Sequence, residues 1–458
     1  MVKVYFDTAG CSMNHSDSET MAGYLYKSGN QIVSNAEDAE LIIVNGCNVK
    51  TPSANEFNRK IKKYENSGKK LILAGCVSQA HPEKYKDKNV VGTYQLEKIN
   101  NALVSVLEDR TVHFVEKNHK VNNNDEKNNY NIDSAQNEVV DRLSVEKIRT
   151  NPHVEIIAIN QGCLGSCSFC ITKKSRGSLH SYRKGPIVNA ARKAVNEGVK
   201  EIWLTSQDTA CWGKDIKEKL ILLMKELNDI EGDFKIRLGM GNPDHFKKII
   251  PDLIEIFNFP KVYKFLHIPL QAGNNKVLKE MNRIYTKEVF ADIIDKLRSI
   301  HPDLTIATDI ICGFPGETDQ EFKETLDFCR EMEFDVMNIS KFWTRPETKA
   351  AEMKQVPFEV IKKRGIELTD AQEEIIEKRN EFWLNWEGKI TITEHGRDNT
   401  SVGRNYAYKP IVVKEKFDIG TKLNVRIAEA KIFHLEAEII NIVKNDIIKE
   451  NLIKLKVI

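Results

Sequence analysis

Three cysteines, Cys163, Cys167 and Cys170, follow the spacing C-x3-C-x2-C within QGCLGSCSFC, a loop whose two glycines and two serines let it wrap around an inorganic core. A structural zinc site needs four protein ligands in a closed tetrahedron, and no fourth cysteine lies nearby. His180, ten residues on, is beyond the short spacing usual for such knuckles. Three thiolates instead suit a [4Fe–4S] cube with one iron left open to bind a substrate or cofactor. Three more cysteines share a different signature. Cys11, Cys47 and Cys76 each follow a glycine directly, at the ends of the strand-like runs VKVYFDTAG, LIIVNG and KLILAG. In an open parallel sheet the carboxyl ends of the strands lie along one edge, where ligands bind, so these thiols can converge despite their distance in sequence. Cys211, Cys312 and Cys329 belong to neither set and read as core or supporting residues.

The elements that must position these thiols are legible as patterns. Residues 1–110 alternate short apolar strands with helices, which predicts an α/β domain with a parallel sheet. Residues 111–148 include KNHKVNNNDEKNNYNIDSAQNE, too polar for a core of its own, and read as a linker. Six strand candidates follow (VEIIAI, EIWLTS, KIRLGM, KFLHIPL, LTIATDII and DVMNIS) with amphipathic helices between them. They predict a partial (βα)6 TIM-like barrel over 149–382, with its chemistry at the strand C-termini; the first strand runs into Cys163. A charged helix, Phe358 to Phe382, connects this unit to KITITEH, PIVVKEK, KLNVRIAEA and EAEIINIV, a small all-β barrel over 383–445 followed by a tail, 446–458. Arg397, Arg404, Lys409 and Arg426 stand there beside Tyr406 and Tyr408, a mixture that suits RNA phosphates and bases and equally an ordinary solvated surface.

Over the 458 residues, 68 basic side chains nearly balance 66 acidic ones, so any nucleic-acid contact must come from local patches. No run of 18 apolar residues occurs and the start lacks a secretory pattern, so a cytoplasmic protein without membrane attachment is expected. Nine cysteines at this length exclude a disulfide scaffold.

The loop triplet, with Phe169 just before its last cysteine, resembles the radical S-adenosylmethionine (SAM) superfamily. There the open iron holds the amino and carboxylate groups of SAM, and electron transfer yields a 5′-deoxyadenosyl radical. CSMNHSDSE, QGCLGSCSFCITKKSRG, LTSQDT, LHIPLQAGNNKVLKEMNR and TDIICGFPGET extend the likeness to the methylthiotransferase family across almost the whole chain. The resemblance implies a second [4Fe–4S] cluster on Cys11, Cys47 and Cys76, two uses of SAM, and a C-terminal TRAM domain that binds RNA. It also implies a low-potential electron donor of the ferredoxin or flavodoxin type and a sulfur donor. ITKKSRGSLHSY and LTSQDTACWG look most like the archaeal and eukaryotic members that convert N6-threonylcarbamoyladenosine at position 37 of tRNA to its 2-methylthio derivative. Relatives that act on isopentenyladenosine in tRNA or on a ribosomal-protein aspartate are the alternative substrates. A non-catalytic iron–sulfur RNA-binding sensor is the alternative of another class, disfavoured because a sensor has no need of an open iron.

In this light Gln207 and Asp208, after the second barrel strand, and Gln271, after HIPL, stand where SAM or the modified base would be held. Arg283 has the planar fork that pairs with the SAM carboxylate. Gly313 and Glu317 bound a tight turn after the fifth strand that allows close approach to a cofactor. Lys173, Lys174, Arg176 and Arg183 read as a phosphate cradle beside the cluster loop. His15, His267 and His301 lack ligand spacing and read as structural.

Overall fold

A computed structural model describes residues 1–48, 51–116 and 142–443. Most of the polar stretch expected as a linker, and the whole of the expected tail, lie outside the described residues.

The first unit comprises β1 (Lys3–Thr8), α1 (Ser12–Lys27), β2 (Gln31–Ile32), β3 (Leu41–Gly46), α2 (Thr51–Asn66), β4 (Lys70–Gly75), α3 (Cys76–Ala80), β5 (Asn89–Val91), α4 (Ile99–Leu107) and β6 (His113–Phe114). Its strands form one all-parallel sheet in the order β2-β1-β3-β4-β5-β6. Every residue of β3 is buried, as a strand covered on both faces requires. Ile43, Ile72 and Val91 pack under α1 and α4, and Ile42, Leu73 and Val90 pack with Phe57 and Ile61 of α2. The three cysteines therefore leave the sheet at one edge.

The central unit runs through β7 (Val154–Ala158), β8 (Asn160–Gln161), α5 (Thr172–Arg176), β9 (His180–Ser181), α6 (Lys184–Asn196), β10 (Glu201–Thr205), α7 (Leu220–Asn228), β11 (Lys235–Leu238), α8 (Pro243–Phe246), α9 (Ile250–Ile256), β12 (Phe265–His267), α10 (Asn275–Glu280), α11 (Lys287–Ile300), β13 (Thr305–Cys312), α12 (Asp319–Met332), β14 (Val336–Lys341), α13 (Lys349–Glu352) and α14 (Phe358–Glu381). Two parallel three-stranded sheets, β7-β10-β11 and β12-β13-β14, are joined by the parallel bridge Ile236 to Val262. The result is a six-stranded open barrel in sequence order. Its fourth strand is shorter than the sequence pattern implied: β12 stops at His267, and Gln271 rejoins the sheet through a single bridge to Ile310. α12 begins with a capping box, Thr318 accepting from the Glu321 N–H while the Glu321 side chain takes the Thr318 N–H. Leu204, Ile236, Leu266 and Ile306 meet the inner faces of the surrounding helices in one continuous core.

β15 (Glu387–His395), β16 (Ser401–Arg404), β17 (Pro410–Val413), β18 (Lys422–Ala430) and β19 (Leu435–Ile442) close a small barrel in the order β15-β16-β17-β19-β18. β16, with its Gly403, is the strand that the sequence pattern did not reveal. The two larger units touch along α1. Gly23 lies where an added Cβ would come within 1.8 Å of the Glu146 carbonyl oxygen, so glycine is required for the segment before β7 to cross the helix.

Candidate cysteine-lined site

The loop between β8 and α5 carries Cys163, Cys167 and Cys170, and its backbone is fixed on several sides. The Cys163 N–H donates to the Gly177 carbonyl at 3.2 Å. The Ser168 N–H and hydroxyl reach the Met281 and Glu280 carbonyls, at 3.0 Å and 2.8 Å, and the Ser168 carbonyl accepts from the Ala350 N–H at 3.0 Å. A Cβ at Gly165 would stand 3.3 Å from the Cys163 sulfur and 3.9 Å from that of Cys167, so this glycine keeps the inside of the loop clear. Burial pushes the Cys163 thiol up to about 12, with Asp208, Cys170 and Cys167 adding to it. The Cys170 thiol is likewise raised by burial and by Cys167, so these two keep their protons until a cation replaces them, as in the donor set that an iron–sulfur cluster needs.

Arg283 is held by groups of the chain itself. Its Nη1 donates to the Cys167 sulfur at 3.2 Å and its Nη2 to Asn242 Oδ1 at 2.6 Å. Asn242 is in turn held by Asp208, whose fully buried carboxylate accepts from Asn242 Nδ2 at 2.7 Å, the Asn242 N–H at 3.1 Å and the Ala210 N–H at 3.1 Å, and lies 2.6 Å from His245 Nδ1. Asp208 thus acts on the cluster loop through Asn242 and Arg283. Gln207 accepts from the Gly162 N–H at 2.7 Å and fixes the start of the same loop.

Phe169 and Gln271 line a cavity of about 240 Å³ together with Cys170, Thr172, Asp309, Lys341, Trp343 and Arg345. The Phe169 ring stands edge-on to Phe314, which stands edge-on to Phe342. Gln271 adopts a φ of 70°, a left-handed conformation unfavourable for a side chain of its length, while its N–H and carbonyl pair with Asp309 and Ile311. Gly313 and Glu317 lie outside this lining. An added Cβ at Gly313 would meet Ile361 of α14 at 2.5 Å, and Glu317 Oε2 accepts from the Gly313 N–H at 3.0 Å and from Arg364 at 2.8 Å. Their turn is closed upon itself and packed on α14.

Cys11, Cys47 and Cys76 follow the ends of β1, β3 and β4, neighbouring parallel strands, along one edge of the first sheet. A Cβ on Gly10 would fall 2.7 Å from the Cys47 Cβ, and the Cys11 thiol lies within electrostatic reach of Cys76. Beneath them is a polar network that sequence reasoning missed. Asn14 Nδ2 donates to Asn45 Oδ1 and Asn45 Nδ2 to the Asn14 carbonyl, both at 2.9 Å, while the Cys11 thiol donates to Asn14 Oδ1 at 3.4 Å. Gly75 makes room for it: at φ 90°, a Cβ there would meet Asn45 Oδ1 at 2.1 Å. These asparagines stand three residues after Cys11 and two before Cys47, and that adjacency was the available signal.

One arginine lies near a member of each cysteine set. Arg345, 8% exposed, lies on the cavity wall with Cys170 and is acted on electrostatically by both Cys47 and Cys170. Arg176 is not part of a phosphate cradle. It is 1% exposed, its Nε donates to the Cys76 sulfur at 3.2 Å, and its Nη2 pairs with Asp17 at 2.7 Å. Lys174 is likewise engaged, with Glu347 at 2.6 Å. The Asp208, Cys211 and His245 side chains also cluster, but the carboxylate is already surrounded by the donors described above. Of Arg397, Arg404, Lys409 and Arg426, expected to suit RNA, two are otherwise engaged: Lys409 is buried against Asp335 at 2.9 Å, and Arg404 lies over the Tyr408 ring, which packs on Phe265 of the central unit.

An open six-stranded parallel barrel with three cysteines after its first strand defines a radical SAM fold. The Radical SAM superfamily model matches residues 157–329, and that of Uncharacterized protein family UPF0004 matches residues 3–94. Among solved structures, the radical S-adenosylmethionine methyltransferase TsrM from Kitasatospora setae superposes with a TM-score of 0.54 at 12% identity, covering 77% of this chain and 75% of that one, a likeness of fold alone. The threonylcarbamoyladenosine tRNA methylthiotransferase of Homo sapiens is 41% identical over 370 residues, covering 80% of this chain; the match spans 62% of the human protein. That of Drosophila melanogaster is 36% identical over 447 residues, 96% of this chain and 78% of the fly protein. The "Probable threonylcarbamoyladenosine tRNA methylthiotransferase" of Pyrococcus abyssi is 34% identical over 433 residues, 94% of this chain and 97% of its own. The chain belongs to the threonylcarbamoyladenosine tRNA methylthiotransferase family of radical SAM enzymes. Its fold implies a [4Fe–4S] cluster and SAM, and the converging thiols of the barrel loop fit that cluster.

Proposed function

We propose that this chain converts N6-threonylcarbamoyladenosine at position 37 of tRNA to its 2-methylthio derivative. The observation that carries the reading is Arg345, which shares a cavity wall with Cys170 and is also within electrostatic reach of Cys47, combined with family membership. Cys163, Cys167 and Cys170 hold the cluster that works with SAM, and Cys11, Cys47 and Cys76 hold a second [4Fe–4S] cluster. When bound, the first supplies the means to remove hydrogen from an inert C–H bond and the second presents a methylated sulfur.

The chain's own part is placement. Phe169 offers a ring edge and Gln271 an amide to the flat base of SAM in the cavity, while Gln207, Asp208 and Arg283 hold the cluster loop from behind. Gly313 and Glu317 fix the wall through α14. Such a reaction needs a low-potential electron donor and a source of sulfur, and a tRNA substrate places it in the cytoplasm. Among the described residues no helix is long and apolar enough to cross a membrane.

The test is anaerobic reconstitution followed by mass spectrometry of nucleosides from tRNA incubated with SAM and a low-potential reductant. The methylthio derivative is expected with the wild type. Cys163→Ala should reduce SAM cleavage to background, whereas Cys47→Ala should cleave SAM and yield no methylthio product. Absence of product from a protein carrying both clusters overturns the reading.

A further inference from the structure

The cysteine sets are joined by one turn of helix. At its start, the Thr172 N–H donates to the Cys170 sulfur at 3.4 Å, and the Cys170 thiol lies 3.0 Å from the Thr172 hydroxyl. Near its end, Ser175 Oγ donates to the Cys76 carbonyl at 3.0 Å and accepts from Asn48 Nδ2 at 2.9 Å, while the Ser175 carbonyl accepts from the Thr93 hydroxyl at 2.6 Å. The next residue, Arg176, enters the first unit completely. α5 therefore belongs to the barrel by sequence and to the neighbourhood of the strand-end cysteines by contact.

Arg176 occupies an expensive position. A guanidinium at 1% exposure must be compensated, and its neighbours are the Asp17 carboxylate and the Cys76 thiol, with Cys11 also within electrostatic reach. Asp17 is shared with Arg142, so this one carboxylate faces two guanidinium groups and leaves positive charge over for the sulfurs. On the barrel side the same device recurs, because Arg283 donates to Cys167 at 3.2 Å. Each cysteine set thus has one arginine N–H aimed at one sulfur.

We infer that Arg176 sets the reduction potential of the group held by Cys11, Cys47 and Cys76, and that Arg283 does so separately for the group held by Cys163, Cys167 and Cys170. Hydrogen bonds and positive charge at ligand sulfurs stabilise the more negative, reduced state of a cluster and raise its potential. Arg176 is a positioning residue that acts through Cys76. The inference rests on the second cluster of the proposed function, and its failure is separable from the failure of that reading.

The experiment is an EPR-monitored redox titration, without tRNA, of reconstituted wild type, Arg176→Met, Arg176→Lys and Arg283→Met, with iron counted per chain. Arg176→Met should shift the second cluster to more negative potential and leave the first in place, and Arg283→Met should do the reverse. Arg176→Lys keeps the charge without the fork and should fall between wild type and Arg176→Met. Since Arg176→Met leaves Asp17 with one cation fewer, the Asp17→Asn/Arg176→Met double variant supplies the same titration with the lost charge balanced, and a smaller negative shift, the part owed to the lost hydrogen bond, is expected. Two clusters whose potentials do not move in the double variant, or that move together in each arginine variant, overturn the inference. A wild type that assembles only the loop cluster overturns the two-cluster reading first and this inference with it.

Discussion

At the scale of single residues, the site separates side chains that meet the cavity from those that hold its walls, and two substitutions should divide the roles. Gln271 faces the cavity from a left-handed backbone, where glycine relieves roughly 1 kcal/mol of strain while adding unfolded-chain entropy of similar size. Gln271→Gly is therefore expected to leave the urea midpoint within experimental error while weakening SAM binding measured by equilibrium dialysis. Asp208→Ala strips the acceptor from four buried contacts and should cost about 2–4 kcal/mol in urea unfolding, with Arg283 released from its alignment on Cys167. If Gln271→Gly unfolded early and Asp208→Ala did not, the division would be reversed. The loop cysteines were legible because their spacing is itself the ligand geometry. Asp208, Arg176 and Arg345 were not, since a carboxylate or guanidinium looks alike in sequence whether it meets a ligand or a buried neighbour, and only the packing of remote segments decides.

At the scale of elements, the strands were legible because parallel strands covered on both faces read as unbroken apolar runs, as in LIIVNG of β3 and TIATDIIC of β13. β2, β6 and β16 were not, because the two to four residues of QI, HF and SVGR are too few to carry a period. The contact between α1 and the segment before β7 was equally hidden, and it contains a group that titrates near neutrality. Glu19 accepts from the Thr150 N–H at 3.0 Å, and burial raises its pKa to about 7 against the opposing pull of Lys147. The folded carboxyl keeps a proton that the unfolded chain has released above its ordinary value near 4.5. Stability from this contact is thus full below that value and is lost as pH rises to about 7, on the order of 2–3 kcal/mol across the window. Glu19→Gln keeps the acceptor and removes the proton linkage. Its unfolding free energy should fall less than that of the wild type between pH 5 and pH 7.5, and parallel curves would refute the assignment.

At the scale of the whole molecule, two of the contacts that fasten the C-terminal barrel to the central one differ in kind. One is a stack in which the Arg237 guanidinium lies over the rings of Trp203, Phe265 and Tyr408, each about 5 Å away. The other is Asp335, whose side chain is 1% exposed and gathers Lys409 from the small barrel at 2.9 Å, Arg379 from α14 at 3.3 Å and Arg298 from α11 at 3.3 Å. Burial alone would raise the Asp335 pKa, but Lys409, Arg379 and Arg298 outweigh it and hold the carboxylate below its ordinary value. Removing one member of such a buried set leaves the others uncompensated and costs about 3–5 kcal/mol, whereas an exposed pair such as Arg426 with Glu438 is screened by solvent and contributes little. Asp335→Asn keeps the shape and leaves three cations facing one amide, so it should loosen the small barrel first, because Lys409 is its only member of the set. Limited proteolysis of the full chain should then cut after α14 faster than in the wild type, with Arg426→Ala indistinguishable from the wild type. Equal cutting rates for Asp335→Asn and Arg426→Ala would show that Asp335 does not hold the barrel, and faster cutting of Arg237→Ala would then assign that role to the aromatic stack.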